Sequence, residues 1–115
     1  MEIVNSEYQD CIDFLNDCAQ ACYECYNSIL STKDLNDKSD LLMSLIDCAE
    51  HAKLTTNFIA RNSEHVKEMA LISAHLAKVT SELCEKFKEE YISITGQVCL
   101  ETHEIIIDTF DDREH

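Results

Sequence analysis

The chain contains no proline and a single glycine, Gly96, in 115 residues. Hairpins and tight turns lean on those two residue types, glycine for positive φ and proline for a locked φ, so a β-rich fold has almost no punctuation available to it. Leu, Ala, Glu and Lys, all good helix formers, make up much of the rest. The expected fold class is all-α. The length supports one domain around one hydrophobic core, taken here as 1–115.

Apolar residues recur at helical spacing along most of the chain. Polar clusters interrupt the pattern and divide it into four helices, at about 6–30, 39–61, 64–88 and 91–110. The first opens on a capping-box pair, Ser6 with Gln9, and carries Ile12, Leu15, Cys18, Cys22 and Ile29 on one stripe. STKDLNDK at 31–38 reads as a turn, and Ser39 as the cap of the second helix, whose stripe holds Leu41, Leu45, Cys48, Ala52, Thr55 and Ile59. Asn62 and Ser63 mark the next break. Val66, Ala70, Ser73, Ala77, Thr80, Cys84 and Phe87 line the third helix. No breaker separates the third helix from the fourth, and Gly96 reads as a small residue inside the fourth; 111–115 reads as a frayed acidic tail. Four similar helices with short connections make an up-down-up-down antiparallel four-helix bundle, whose interior suits a metal built from facing side chains.

Nine Lys and Arg against 23 Asp and Glu leave a formal charge of −14. Such a chain repels phosphate backbones and anionic membrane surfaces, so neither nucleic acid nor membrane is an expected partner; a metal ion is. The first ten residues lack the apolar core of a secretory signal, and no stretch approaches the roughly 20 apolar residues of a membrane span. A cytoplasmic location follows as an expectation. In a reducing compartment the seven cysteines read as thiols or metal ligands, and their odd number prevents complete internal pairing.

Cys11, Cys18, Cys22 and Cys25 are spaced by seven, four and three residues. At about 100° per residue they form one stripe on one helix face. Neighbouring thiolates three or four residues apart can share a soft ion, and Cu(I), which accepts two or three sulfurs without a demanding geometry, suits such a stripe better than zinc. With antiparallel helices in register, Cys22, Cys48 and Cys99 fall at one depth, Cys25 and Cys84 to one side and Cys18 slightly to the other. Six thiols are thus expected in one half of the core, with Cys11 apart. His51 and His103 follow Cys48 and Cys99 by three and four residues and are candidate secondary ligands. His65, His75 and His115 read as surface residues, Met43 and Met69 as packing.

Sharper motifs fail. The residues three before His51, His65, His75 and His103 are Cys48, Asn62, Ile72 and Leu100, so no ferritin-like Glu-x-x-His exists. Cys25 is followed by Tyr26, which excludes C-x-x-C-H haem attachment. The string from Cys18 to Cys25 resembles the cluster motif of radical S-adenosylmethionine enzymes, but those need a large α/β barrel. With no catalytic triad and no phosphate loop, no enzymatic activity is expected. Two other readings stand beside copper: an iron–sulfur cluster on Cys18, Cys22, Cys25 and either Cys48 or Cys84, and a helical interaction module whose cysteines only fill the core.

CIDFLNDCAQACYEC, from Cys11 to Cys25, resembles the first helix of the cysteine-rich four-helix-bundle copper-binding proteins of bacteria, often labelled ferredoxin-like, and more distantly the copper storage proteins. Asp47-Cys48-Ala49-Glu50, Lys67-Glu68, Cys84 and Cys99 extend the similarity over nearly the whole chain. The resemblance implies Cu(I) bound through Cys11, Cys18, Cys22, Cys25, Cys48, Cys84 and Cys99, and association into a homo-oligomer, dimer or tetramer. It also implies a thinned thiol lattice. Where the family usually continues its thiols, this chain has Ile29, Leu41, Ala52, Ser73, Ala77, Thr80, Thr95, Thr102 and Ile106, so a few Cu(I) ions, buffered or sequestered, are expected rather than many.

Overall fold

The computed structural model describes residues 6–110. A single 3₁₀ turn, Ser6–Tyr8, leads into α1 (Gln9–Thr32), followed by α2 (Ser39–Ala60), α3 (Val66–Cys84) and α4 (Glu90–Phe110). No strand occurs among the described residues. Each helix packs on the next and α1 closes the ring against α4, the all-α up-down-up-down bundle that the hydrophobic stripes dictate.

Helix ends depart from the expected positions for physical reasons. Gln9 donates its side-chain amide to Asp13 at 2.9 Å, one turn ahead, and the regular helix begins only after the 3₁₀ turn. The side chain of Ser6 and the expected tail at 111–115 lie outside the described residues. Ser39 is the first residue of α2, and Lys38 occupies the cap position. With no glycine to hand, the connections place Lys33, Asp37 and Asn62 at φ of 62°, 61° and 58°. Each costs about 1 kcal/mol relative to glycine.

The largest difference is at the end of α3, which stops at Cys84 rather than near residue 88. Lys86 and Phe87 donate their amides to the carbonyls of Leu83 and Cys84 in 3₁₀ fashion, and α4 restarts at Glu90. No local breaker causes this; a tertiary contact does. Lys38 is only 4% exposed, and its ammonium lies 5.0 Å from the centre of the Phe87 ring and reaches Glu89 at 3.1 Å and Asp34 at 3.6 Å. The 33–38 and 85–89 connections are thereby pinned together over one end of the bundle.

The Glu89 carboxyl is held below the ordinary value of 4.5, first by its own backbone amide and then by Lys38. A depressed carboxyl stabilises the fold above its unfolded value, and that contribution fades as pH falls from 4.5 through the folded-state value. Glu89→Gln is therefore expected to lower the melting temperature at neutral pH and to flatten its decline across that acid range. Thermal melts at stepped pH check both.

The core is filled along its length by Leu15, Ile29, Leu41, Leu45, Ile59, Ile92 and Ile106, with all seven cysteines buried among them. The nine positions named above as thiol replacements are all buried too. Thr80, Thr95 and Thr102 bond back to the carbonyls of Leu76, Tyr91 and Val98, so their hydroxyls sit in the core without an orphaned polar atom. Gly96 lies inside α4, as its size suggests, and allows a close approach: a Cβ there would stand 2.7 Å from the Cβ of Cys84.

Candidate metal centre

Cys18 and Cys22 lie one turn apart on α1, a spacing that points both sulfurs at the same neighbours. Facing them are Cys48 from α2 and Cys99 from α4, each on the buried stripe of its helix. Cys18 Sγ is 3.7 Å from Cys48 Sγ and 3.7 Å from Cys99 Sγ, and Cys22 Sγ is 3.6 Å from Cys99 Sγ. All four sulfurs lie within 4.8 Å of one another, and all are buried.

These distances define what the group can hold. A metal–thiolate bond of about 2.3 Å gives sulfur separations of about 3.8 Å in a tetrahedron and about 4.6 Å across a linear pair. The separations of 3.6–3.7 Å match the tetrahedral value, so a soft ion fits among these sulfurs. An iron–sulfur cluster interposes irons and bridging sulfides among its thiolates and so needs most of them farther apart. Four sulfurs this close surround single ions instead.

The local electrostatics favours a cation. Hydrogen bonding within the group pulls the Cys18 thiol well below the ordinary value, while Cys22 and Cys99, hydrogen-bonded in the same group and buried, are pushed up.

The remaining thiols sit apart from this group. Burial pushes Cys84 up to about 12, reinforced by Cys25, Cys48 and Cys18 in that order, which places it beside the four-thiol group and near Cys25. Cys25 is also raised by burial and then by Glu89, against a hydrogen bond from Thr95, so it lies toward the Lys38 end. Cys11, raised by burial and opposed by a hydrogen bond from Thr109, is at the opposite end beside Tyr8. The depth reckoning thus separates Cys11 as expected, but of the other six thiols four converge closely and two flank them.

Neither histidine joins the sulfurs. His51 Nδ1 is 2.7 Å from Ser73 Oγ and 3.3 Å from Thr55 Oγ1, and burial lowers its pKa. His103 donates Nδ1–H to the carbonyl of Ala74 at 2.9 Å. Both tie their helices to α3, a role their sequence spacing from Cys48 and Cys99 does not reveal. Met43, read as packing, is 69% exposed, whereas Met69 is half-buried. His65 is exposed between Glu64 and Glu68, and His75 is exposed on α3.

A bundle with a buried thiol cluster defines a class of intracavity metal-binding helical proteins, and sequence comparison narrows it. The model of the copper storage protein family matches residues 4–106, and the chain belongs to that family. Its fold is similar to that of the Cu(I)-bound copper storage protein BsCsp3, with a TM-score of 0.86 and 19% identity over 90% of this chain and 97% of that one. It is equally similar in kind to apo copper storage protein 3 from Bacillus subtilis, with a TM-score of 0.82 and 20% identity over 89% of this chain and 97% of that one. No curated protein matches by sequence. No helix among the described residues is long and apolar enough to cross a membrane.

Proposed function

We propose that this protein takes up Cu(I) as cargo and buffers or sequesters a few ions through buried cysteine thiolates, without turning over a substrate. The observation that carries this reading is the group Cys18, Cys22, Cys48 and Cys99, whose buried sulfurs lie within 4.8 Å of one another. Thiolate is a soft ligand and selects Cu(I) over the harder divalent ions. Cys25 and Cys84 extend the set on one side, Cys11 is a more remote ligand, and His51 and His103 offer only Nε2. Nine buried positions without sulfur limit the capacity to a few ions.

A cytoplasmic location fits seven unpaired thiols, since a reducing compartment keeps them available. Met43, Leu54, Ile72 and Ile94 are exposed apolar residues that suit association of copies into a dimer or tetramer. Sedimentation velocity reads that state directly.

The decisive experiment is an anaerobic titration of reduced protein with Cu(I) against a chromogenic chelator, repeated with excess Zn²⁺. Saturation at a few equivalents that zinc does not displace is the expected result. Because bound thiols must lose their protons, affinity should fall as pH is lowered and loading should release protons in proportion to the copper taken up. Failure to compete even with a weak chelator would leave the cysteines as core filler and the chain as a helical interaction module.

A further inference from the structure

We infer that the groove between α1 and α4 is a docking site for a basic amphipathic helix of another protein, on a face of the bundle that the buried thiols leave unused. Charge is segregated between the two halves of the molecule. α1 and α4 contain no Lys or Arg, while Asp10, Asp17 and Glu24 on α1 and Glu101, Glu104 and Asp108 on α4 are all exposed. Every described Lys and Arg lies on α2, on α3 or in a connection. Since α1 packs against α4, the acidic side chains border one continuous face.

That face has an apolar floor. The Thr102 hydroxyl on α4 stands 3.2 Å from the Phe14 carbonyl on α1, and beside this contact an open cleft of about 320 Å³ places Phe14 and Ile105 between Glu101, Glu104 and Asp108. One heptad along the groove, Ala21 and Val98 take the equivalent positions, and all four floor residues are half-buried. Asp10, Asp17 and Glu24 recur at the same seven-residue interval along one rim, as do Glu101 and Asp108 along the other.

A seven-residue repeat on both walls matches a third helix. Its apolar a and d side chains would lie on the floor and its flanking Lys and Arg would meet the rims, the arrangement by which flanking charges select partners in coiled coils. Neutral groups hold two of the rim carboxylates: Gln20 donates to Glu24 at 2.9 Å and Gln97 to Glu101 at 3.0 Å. Both are thus held in place by a group that leaves their charge to attract a cation. A second copy supplies no complementary helix. Its α1 and α4 would bring like charge, its α2 carries only Lys53, and on its α3 Lys67 and Lys78 are offset by Glu68 and Glu82.

The test is fluorescence anisotropy of a labelled peptide of about 20 residues, about 30 Å as a helix, with Leu at its a and d positions and Lys at e and g. It is titrated with the copper-free reduced protein at about 0.1 M ionic strength, where distant surface charges are screened. Asp17→Lys and Glu101→Lys are each expected to weaken binding by about threefold to tenfold, the loss of one exposed ion pair plus the repulsion that replaces it. Glu50→Lys on α2 changes the net charge equally and should leave the affinity within about twofold. A scrambled peptide of the same composition should bind about tenfold more weakly, because it presents no apolar face to the floor. No binding of the amphipathic peptide overturns the proposal. So does equal binding of the scrambled peptide, which reduces the face to counterion attraction, or an equal loss from Glu50→Lys. A sedimentation coefficient of the protein alone that falls in Glu101→Lys would give the groove to a second copy and overturn it as well. Peptide binding is read without copper, so its failure is distinct from a failure of Cu(I) uptake.

Discussion

Replacing Cys18 with serine is expected to abolish tight Cu(I) binding while leaving the bundle folded. Cys18 Sγ is the hub of the group, 3.7 Å from both Cys48 and Cys99, and shares its helix face with Cys22. Serine is close in volume but offers a hard oxygen that does not ionise near neutrality, so a soft cation loses a direct ligand at the centre of the site. Loss of an outer-shell partner alone typically weakens a metal site by about 10–100-fold, and loss of this direct ligand should exceed that range. Competition against chelators of graded affinity measures the loss. The same change at Cys11, remote from the group, should leave binding by the four sulfurs intact.

Gly96→Ala is expected to destabilise the fold although alanine is the better helix former. The added Cβ would stand 2.7 Å from Cys84 Cβ and 3.6 Å from the Ser81 carbonyl oxygen, so α3 and α4 must separate. Overpacking of this kind costs about 1–3 kcal/mol, offset by a propensity gain of up to about 1 kcal/mol. A net loss of up to about 2 kcal/mol follows, read as a lower denaturation midpoint with an unchanged slope. Cys84→Ala should not rescue it, because the collision is with the Cβ that alanine retains. A stabilised Gly96→Ala variant would contradict the close approach of the two helices.

Most of the fold can be read from the sequence because a helix declares its buried face by spacing: Leu15, Cys18, Cys22 and Ile29 point inward as their stripe requires. The end of α3 could not be read, since Lys38, remote in sequence, draws Phe87 and Glu89 out of the helical path. The site shows the same division. Counting residues from the helix ends gives depth, which brings Cys22, Cys48 and Cys99 to one level. Depth also sets Cys25 and Cys84 to one side, as found, but it carries no information on how closely the side chains approach, and only the folded structure brings Cys18 within 3.7 Å of both Cys48 and Cys99. His51 and His103 have the right depth too, but Ser73, Thr55 and the Ala74 carbonyl claim their nearer nitrogens through contacts that only tertiary structure reveals.

The nine inward-facing positions without sulfur make storage capacity an adjustable property of this scaffold. Ser73 is small and buried, and a thiol exceeds a hydroxyl by little volume, so cysteine can be introduced there with modest repacking; at Ala52 and Ala77 it adds a whole sulfur atom and calls for a compensating reduction nearby. A graded series from seven thiols upward would then separate the affinity of an individual ion from the cooperative filling of a multinuclear copper core, all within one polypeptide.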